Sequence, residues 1–245
     1  MDNRDYLKSL TGRCSFSRYE LHEAMNGFGT QVSEASFKAK LQKLLASERI
    51  VRVGRNAYYA PENSIRKYQY TYSKLAFDVA DKITENFQYI DFMVFETIQL
   101  NEFVNHQLAH NVVFVSVEGD LGSFVFDIIN EAYPGKVLIN PTTDIYHQYW
   151  HGDMVVVVKL VTEAPKSRHC PWAARLEKIL VDIMADNLIL NSISEAEYPN
   201  IYSEAFHKYV IDESCLFRYA KRRGVEKKVL ELIGHKTGIQ LRTRR

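Results

Sequence analysis

Cysteine, proline and glycine are all scarce in this chain: three, six and eleven among 245 residues. Cys14, Cys170 and Cys215 are odd in number, lie far apart and form no CxxC pair. That excludes a disulfide framework and a sequence-local cysteine zinc site, and points to a reducing compartment. The low glycine and proline counts exclude a collagen-like or simple repeat protein. The apolar runs, such as residues 154–158, fall well short of the ~20 residues that a membrane helix needs. The start, MDNRDYLKSL, has no apolar h-region, so no signal peptide is expected. A cytoplasmic protein that does not meet the membrane is the simplest expectation. Walker A, GxGxxG and GxSxG patterns are also missing.

What is present is ordinary for a globular chain: 46% hydrophobic and 25% charged residues. Wholesale disorder needs the opposite balance. At roughly 150 residues per domain, one or two domains are expected. The net charge of +1 hides a segregation. Residues 1–66 hold 11 Lys/Arg against 7 Asp/Glu, or +4. Residues 67–215 hold 10 against 21, or −11, and residues 216–245 hold 10 against 2, or +8. A basic head and tail around an acidic middle suggests different partners for different parts.

The first sixty residues read as a unit. Tyr6, Leu7 and Leu10 open a short helix that stops near Gly12. Ser17 caps a second helix, with Glu20 completing a capping box. Its apolar positions are Leu21, Ala24 and Met25, and Gly27 and Gly29 end it. A third helix is expected over residues 34–47, capped by Ser33. Phe37, Leu41, Leu44 and Leu45 fall on one of its faces. The other face holds Ala35, Ser36, Ala39, Gln42, Lys43 and Ala46, with Lys40 at its edge. Small residues admit a close backbone, and Lys and Gln reach phosphates and base edges. Residues 50–53 and 57–60 then read as strands joined by a tight Gly54-Arg55-Asn56 turn. Helix, helix, glycine turn, helix and hairpin is the order of a winged helix-turn-helix, whose third helix enters the major groove. Arg52 and Arg55 on the wing are expected beside the DNA backbone. The DNA-binding residues are thus expected to be Ser36, Lys40, Gln42, Lys43, Arg52 and Arg55. Such domains also serve as protein-docking modules.

Pro61-Glu62-Asn63-Ser64 marks a boundary between a DNA-binding domain, 1–62, and a larger domain, 68–245. Tyr68, Tyr70 and Tyr72 lie on a connector or edge strand. A helix over 73–87 follows, then a strand over 89–95, a helical stretch over 97–110 and a buried strand over 112–117. A helix over 123–131 and strands over 136–140 and 154–161 come next. Leu176, Ile179, Leu180, Ile183 and Met184 form a helical stripe, with Asp182 and Asp186 on the polar side. Helices are also expected over 203–209, 212–222 and 225–233, and the basic end, HKTGIQLRTRR, is expected to fray. The class is α+β: a winged helix-turn-helix plus a mixed α/β domain with a helical C-terminal part.

Catalytic patterns are present only in part. Gly122-Ser123 and Asp127 partly fit a nucleotidyltransferase GS…DxD signature, but Ile129 stands where the second magnesium-holding carboxylate is needed. Glu118, Asp120 and Lys159 lack the acid-x-Lys spacing of a nuclease. His106 and His110, and His147 and His151, have the i, i+4 spacing that shares a helical face. Gln107 and Gln148 stand where HExxH needs its glutamate base. No catalytic residue, metal site or cofactor is therefore expected. The acidic middle is either a solvated surface or a docking face for a basic partner.

The hairpin sequence VRVGRNAYYAP and the helix RLEKILVDIMAD, residues 175–186, resemble the AbiEi-type antitoxins of type IV toxin–antitoxin, or abortive-infection phage-defence, systems. Glu177, Lys178, Leu180 and Asp182 stand at the family's Glu-Lys-x-Leu-x-Asp positions. The stretch 68–161 departs from the better-known members, as in a divergent branch. The resemblance implies a non-enzyme with two roles. Its N-terminal domain would bind promoter DNA and repress transcription. Its larger domain would antagonise a nucleotidyltransferase-like toxin encoded alongside, with or without a stable complex. Two other readings compete: a ligand- or state-sensing regulator without a toxin partner, and a nuclease targeted by the winged helix.

Overall fold

In the computed structural model, residues 5–11, 13–27, 31–61, 67–167, 170–190 and 193–243 are described, apart from the side chain of residue 5. They form an α+β protein. The first part runs α1 (Asp5–Lys8), α2 (Arg18–Asn26), α3 (Glu34–Ala46), β1 (Val51–Gly54) and β2 (Ala57–Tyr59). Ser17 and Glu20 make the full capping box at α2, and Ser33 caps α3. Phe16 and Tyr58 exchange both backbone hydrogen bonds at 2.8 Å, which adds a one-residue third strand beside β2. Leu10, Phe16, Leu21, Phe37, Ile50 and Tyr58 lie in the core of this part. Gly12, Gly29 and residues 62–64, to which turns and a boundary were assigned, lie outside the described residues.

The larger part is built on a four-stranded sheet. Its elements are α4 (Lys74–Asn86), β3 (Phe92–Glu96), a 3₁₀ segment (Thr97–Glu102), β4 (Val112–Val117), α5 (Gly122–Ala132), β5 (Val137–Ile139), α6 (Thr143–Tyr149) and β6 (Met154–Lys159). The strand order is β3-β4-β6-β5, with β3 antiparallel and the rest parallel. Crossovers between parallel strands are right-handed. The β4-to-β5 connection runs one way along the sheet and the β5-to-β6 connection runs back, so their helices must lie on opposite faces. Packing agrees. Val125 and Ile129 of α5 join Val113, Val115, Val155 and Val157 on one face. Tyr146 of α6 joins Val112, Phe114, Met154 and Val156 on the other. Alternate residues of β4 and β6 thus fill two cores, which is why residues 154–158 of β6 form an unbroken apolar run.

The second face is covered by α7 (Leu176–Ala185), α8 (Asn187–Leu190), α9 (Tyr198–Lys208), α10 (Glu213–Arg222) and α11 (Glu226–Lys236). Burying each of Ile179, Leu180 and Ile183 contributes about 1.5–3 kcal/mol. The tyrosine connector packs inward: Tyr72 donates its hydroxyl to Val94 O and accepts from Ala174 N, both at 3.1 Å.

Several expectations need correction. Residues 97–110 are not one helix. The 3₁₀ segment ends at Glu102, and Asn101 closes the loop that follows by bonding both the N–H and the carbonyl of Leu108. His106 and His110 therefore share no helical face, and α6 ends before His151. The helix expected over 203–209 starts earlier, at Tyr198, with Pro199 in its first turn, where no proline N–H is needed. Helix α7 has no polar side, because Asp182 is buried and Asp186 half-buried. The C-terminal end is docked as far as Thr243. The Arg242 and Thr243 N–H groups both donate to the buried Glu213 carboxylate at 2.7 Å.

Candidate nucleic-acid interface

The α2–α3 pair is fixed by side chains that close the turn between them. Asn26 Oδ1 accepts from Val32 N at 2.9 Å, and a His22 ring nitrogen lies 2.9 Å from Val32 O. The His22 ring meets the buried Phe37 edge-on at 4.7 Å. The Arg18 guanidinium sits 5.1 Å over the Phe37 ring and pairs with Glu34. Glu34 in the first turn also complements the helix dipole. Phe37, Leu41 and Leu44 face the core.

The remaining surface of α3 is turned outward. Ala35, Ser36, Lys38, Ala39, Gln42, Lys43 and Ala46 are exposed, and Lys40 is half-buried at the edge. The nearby acids Glu34 and Glu48 are taken by Arg18 and Lys67. Among the described residues Lys38, Lys40 and Lys43 carry no ion pair. Lys38 is exposed on this face but is not among the residues that the sequence points to. Its place four residues before Gln42 on the outward face was the signal for it.

The hairpin pairs Val51 with Tyr59 and Arg52 with Tyr58. Its turn needs a left-handed residue, and Asn56 supplies it at φ 55°. Asn56 Oδ1 also accepts from Arg18 N at 3.0 Å, tying the turn to the start of α2. Both arginine side chains are exposed, and Arg52 Nε donates to Gly54 O at 3.2 Å. The hairpin is not a free wing, however. Arg55 N donates to Ser214 Oγ of α10 at 3.0 Å. A Cβ placed on Gly54 would stand 2.4 Å from Thr243 Cγ2 and 2.9 Å from Ser214 Oγ. The chain end runs along the same hairpin: Ser15 Oγ donates to Arg242 O at 2.5 Å, and the Arg242 guanidinium lies 4.5 Å over the Tyr59 ring. The first part and the larger part are thus joined through the hairpin tip.

The segment Glu177-Lys178-x-Leu180-x-Asp182 lies inside the larger part. Lys178 Nζ donates to Asp182 Oδ2 at 2.5 Å, and Tyr219 of α10 donates to Asp182 Oδ1 at 3.0 Å. Arg223 Nε lies 3.3 Å from the same oxygen. Arg175 grips both oxygens of Glu177 at 2.7 and 2.9 Å, and Asp212 N donates to Glu177 Oε1 at 2.9 Å. These charges join α7 to α10, and of them Arg175 lines a cleft.

Clefts open on the larger part. One of about 280 Å³ is lined by Thr97, His110, Tyr146, His147 and Trp150, with the His110 and Trp150 rings edge-to-face at 5.2 Å. Another, about 390 Å³, is lined by Glu163, Lys166, Arg175, Cys215 and Arg218. Burial pushes the Cys215 thiol up to about 11, so it is not a nucleophile at neutral pH. Gly122 and Ser123 open α5, with Asp127 exposed on the same helix. Glu118 accepts from Asp91 N at 2.7 Å, and Asp120 and Lys159 are exposed. Among the described residues no three His, Cys, Asp or Glu converge as a metal site would require. No helix among them is long and apolar enough to cross a membrane.

Residues 36–238 match the model of a family of unknown function, DUF6577, and the chain belongs to that family. Neither the curated proteins nor the solved structures gave a match.

Proposed function

We propose that this DUF6577 member is a duplex-DNA-binding autorepressor and antitoxin, working in the cytoplasm against a nucleotidyltransferase-like toxin and catalysing no reaction itself. The observation that carries the DNA half is the outward face of α3, which is small and polar and keeps at its sides lysines with no ion pair among the described residues. It follows two helices and precedes a hairpin, the element order of a winged helix. Ser36 and Gln42 are the residues for base edges. Lys40, Lys43, Arg52 and Arg55 are those for phosphates. The antitoxin half rests on the likeness of the hairpin and the α7 segment to AbiEi-type antitoxins. It is supported by the −11 balance of residues 67–215, which suits a basic partner.

The two halves are tested separately with the full chain. Ser36→Ala and Gln42→Ala should lower discrimination between the chain's own promoter duplex and unrelated duplex by about 1–3 kcal/mol per lost base contact. Equal discrimination in both variants counts against α3 as the reading helix. Co-expression with the toxin-like protein encoded alongside should restore growth. Continued arrest, or the lack of such a neighbour, counts against the antitoxin half.

A second reading, a ligand-sensing regulator, is favoured by the 280 Å³ cleft of His110, Tyr146 and Trp150, close to the lower size of small-molecule sites. A small molecule that displaces the protein from DNA, with no toxin gene adjacent, would favour it over the antitoxin reading.

A further inference from the structure

We infer that the exposed basic stripe of α10 is a second duplex-DNA surface, continuous with the hairpin tip, that grips phosphates without reading bases. The inference rests on the duplex-DNA reading of α3 and extends the contact to the larger part of the chain.

Placement comes first. The hairpin tip is seated on the first turn of α10 by the Arg55 N to Ser214 Oγ bond, and Gly54 is packed too closely there to carry a side chain. Ser214, Arg218, Lys221 and Arg222 stand at i, i+4, i+7 and i+8, which is one helical face. At 1.5 Å per residue, the stripe runs about 12 Å along the axis from the residue that holds the hairpin.

The local sequence RYAKRR is sorted by burial. Arg218, Lys221 and Arg222 are exposed, while Tyr219 and Ala220 are buried and Arg223 turns inward to Asp182. The outward cations are lightly held. Arg218 lies 3.9 Å from Glu163 with both side chains more than half exposed. Arg222 donates to the neutral Thr162 Oγ1 at 2.8 Å. Lys221 has no ion pair among the described residues.

Electrostatics supplies the reason for such a stripe. A duplex that touches Arg55 is brought against the part of the chain whose residues 67–215 carry −11. Exposed charges act over roughly 8 Å at physiological salt, so phosphates arriving there would meet acidic surface. The stripe starts at the contact with the hairpin tip and reverses the sign there. Its cations belong to the chain's last thirty residues, which carry +8. They are long and flexible, and they lie beside the hairpin tip and not on the helix proposed to enter the groove, so they suit phosphates.

The test is fluorescence anisotropy of the full chain with its promoter duplex and an unrelated duplex, from about 50 to 200 mM salt. Arg218→Ala/Lys221→Ala/Arg222→Ala should make the slope of log K against log salt less negative by about 2–3 on both duplexes. The preference for promoter over unrelated DNA should stay within about twofold. Arg218→Lys/Arg222→Lys should keep the wild-type slope. Lys221→Ala, which removes no ion pair among the described residues, should change the slope by about 0.9 without altering the melting temperature. An unchanged slope in both Ala variants, with the wild type still bound, overturns the α10 surface and leaves the α3 reading standing. Lost preference with an unchanged slope also overturns it. No duplex binding by the wild type overturns both.

Discussion

Arg223 Nε lies 3.3 Å from Asp182 Oδ1, inside the larger part, while its neighbour Arg222 is exposed and bonds Thr162. Asp182 also accepts from Lys178 and Tyr219, so one carboxylate faces two cations. Asp182→Ala strands the buried Lys178, leaves Arg223 only Asp186 at 3.8 Å, and should cost about 3–5 kcal/mol in urea denaturation. Lys178→Met/Asp182→Leu leaves Arg223 within 3.8 Å of Asp186 and should be less destabilised than the single variant. A cost for Asp182→Ala within ~0.5 kcal/mol, as at a surface position, would show that the network is not holding α7 to α10.

The hairpin seat is tested by steric coupling. Gly54→Ala places a Cβ against Thr243 and Ser214 and should destabilise by about 1–3 kcal/mol. Thr243→Ala removes the nearer obstacle, so the double variant should recover part of that loss. A coupling of about 0.5–3 kcal/mol in a double-mutant cycle is expected, and strict additivity would mean that the tail does not press on the hairpin.

Thiol chemistry separates Cys14 from Cys215. Cys14 is exposed, whereas Cys215 is buried and its thiol is pushed up to about 11 from the ordinary 9.0. A disulfide reagent at about pH 8 should label Cys14 quickly and Cys215 only as the chain unfolds. Because the folded value is the higher one, this contribution to stability is full below about pH 9 and is lost as the pH rises through about 11. Rapid labelling of Cys215 in the native chain would contradict its burial.

Glu197 is affected in the opposite direction. Its hydrogen bond with the His106 ring, then one from Asn105 N, holds its carboxyl below the usual 4.5. The stability it contributes is present above about pH 4.5 and is lost as the pH falls through the lowered value. His106→Ala should move the Glu197 carboxyl titration upward, read by NMR. An unmoved titration would mean that the ring does not set it.

Local signals carried much of the fold into view. Ser17 with Glu20, and Ser33, mark helix starts because a hydroxyl or carboxylate cap acts within three residues. Val112–Val117 and Met154–Lys159 read as strands because β-branched residues filling two cores leave few alternatives. Long-range partners were not legible. Asp182 and Lys178 have the i, i+4 spacing of a solvated helix pair, and only Tyr219 and Arg223 of α10 make that pair an interior one. The chain end reads as a fraying basic tail until Glu213 receives its N–H groups. In the candidate interface, the outward face of α3 follows from the 3.6-residue period. The seat of Arg55 on Ser214 spans 159 positions and leaves no local trace.

The central claim, that α3 and the hairpin hold duplex DNA, is tested most directly by salt-dependent anisotropy of one variant. Lys40, Lys43, Arg52 and Arg55 are all changed to Ala in the full chain and compared with the wild type on its promoter duplex. The account predicts weaker binding, with a log K against log salt slope less negative by about 3–4. Arg55→Ala alone should account for about one unit of that change on any sequence. Equal affinity and equal slope in the two proteins would contradict it, and the three helices and hairpin would then be better read as a protein-docking module.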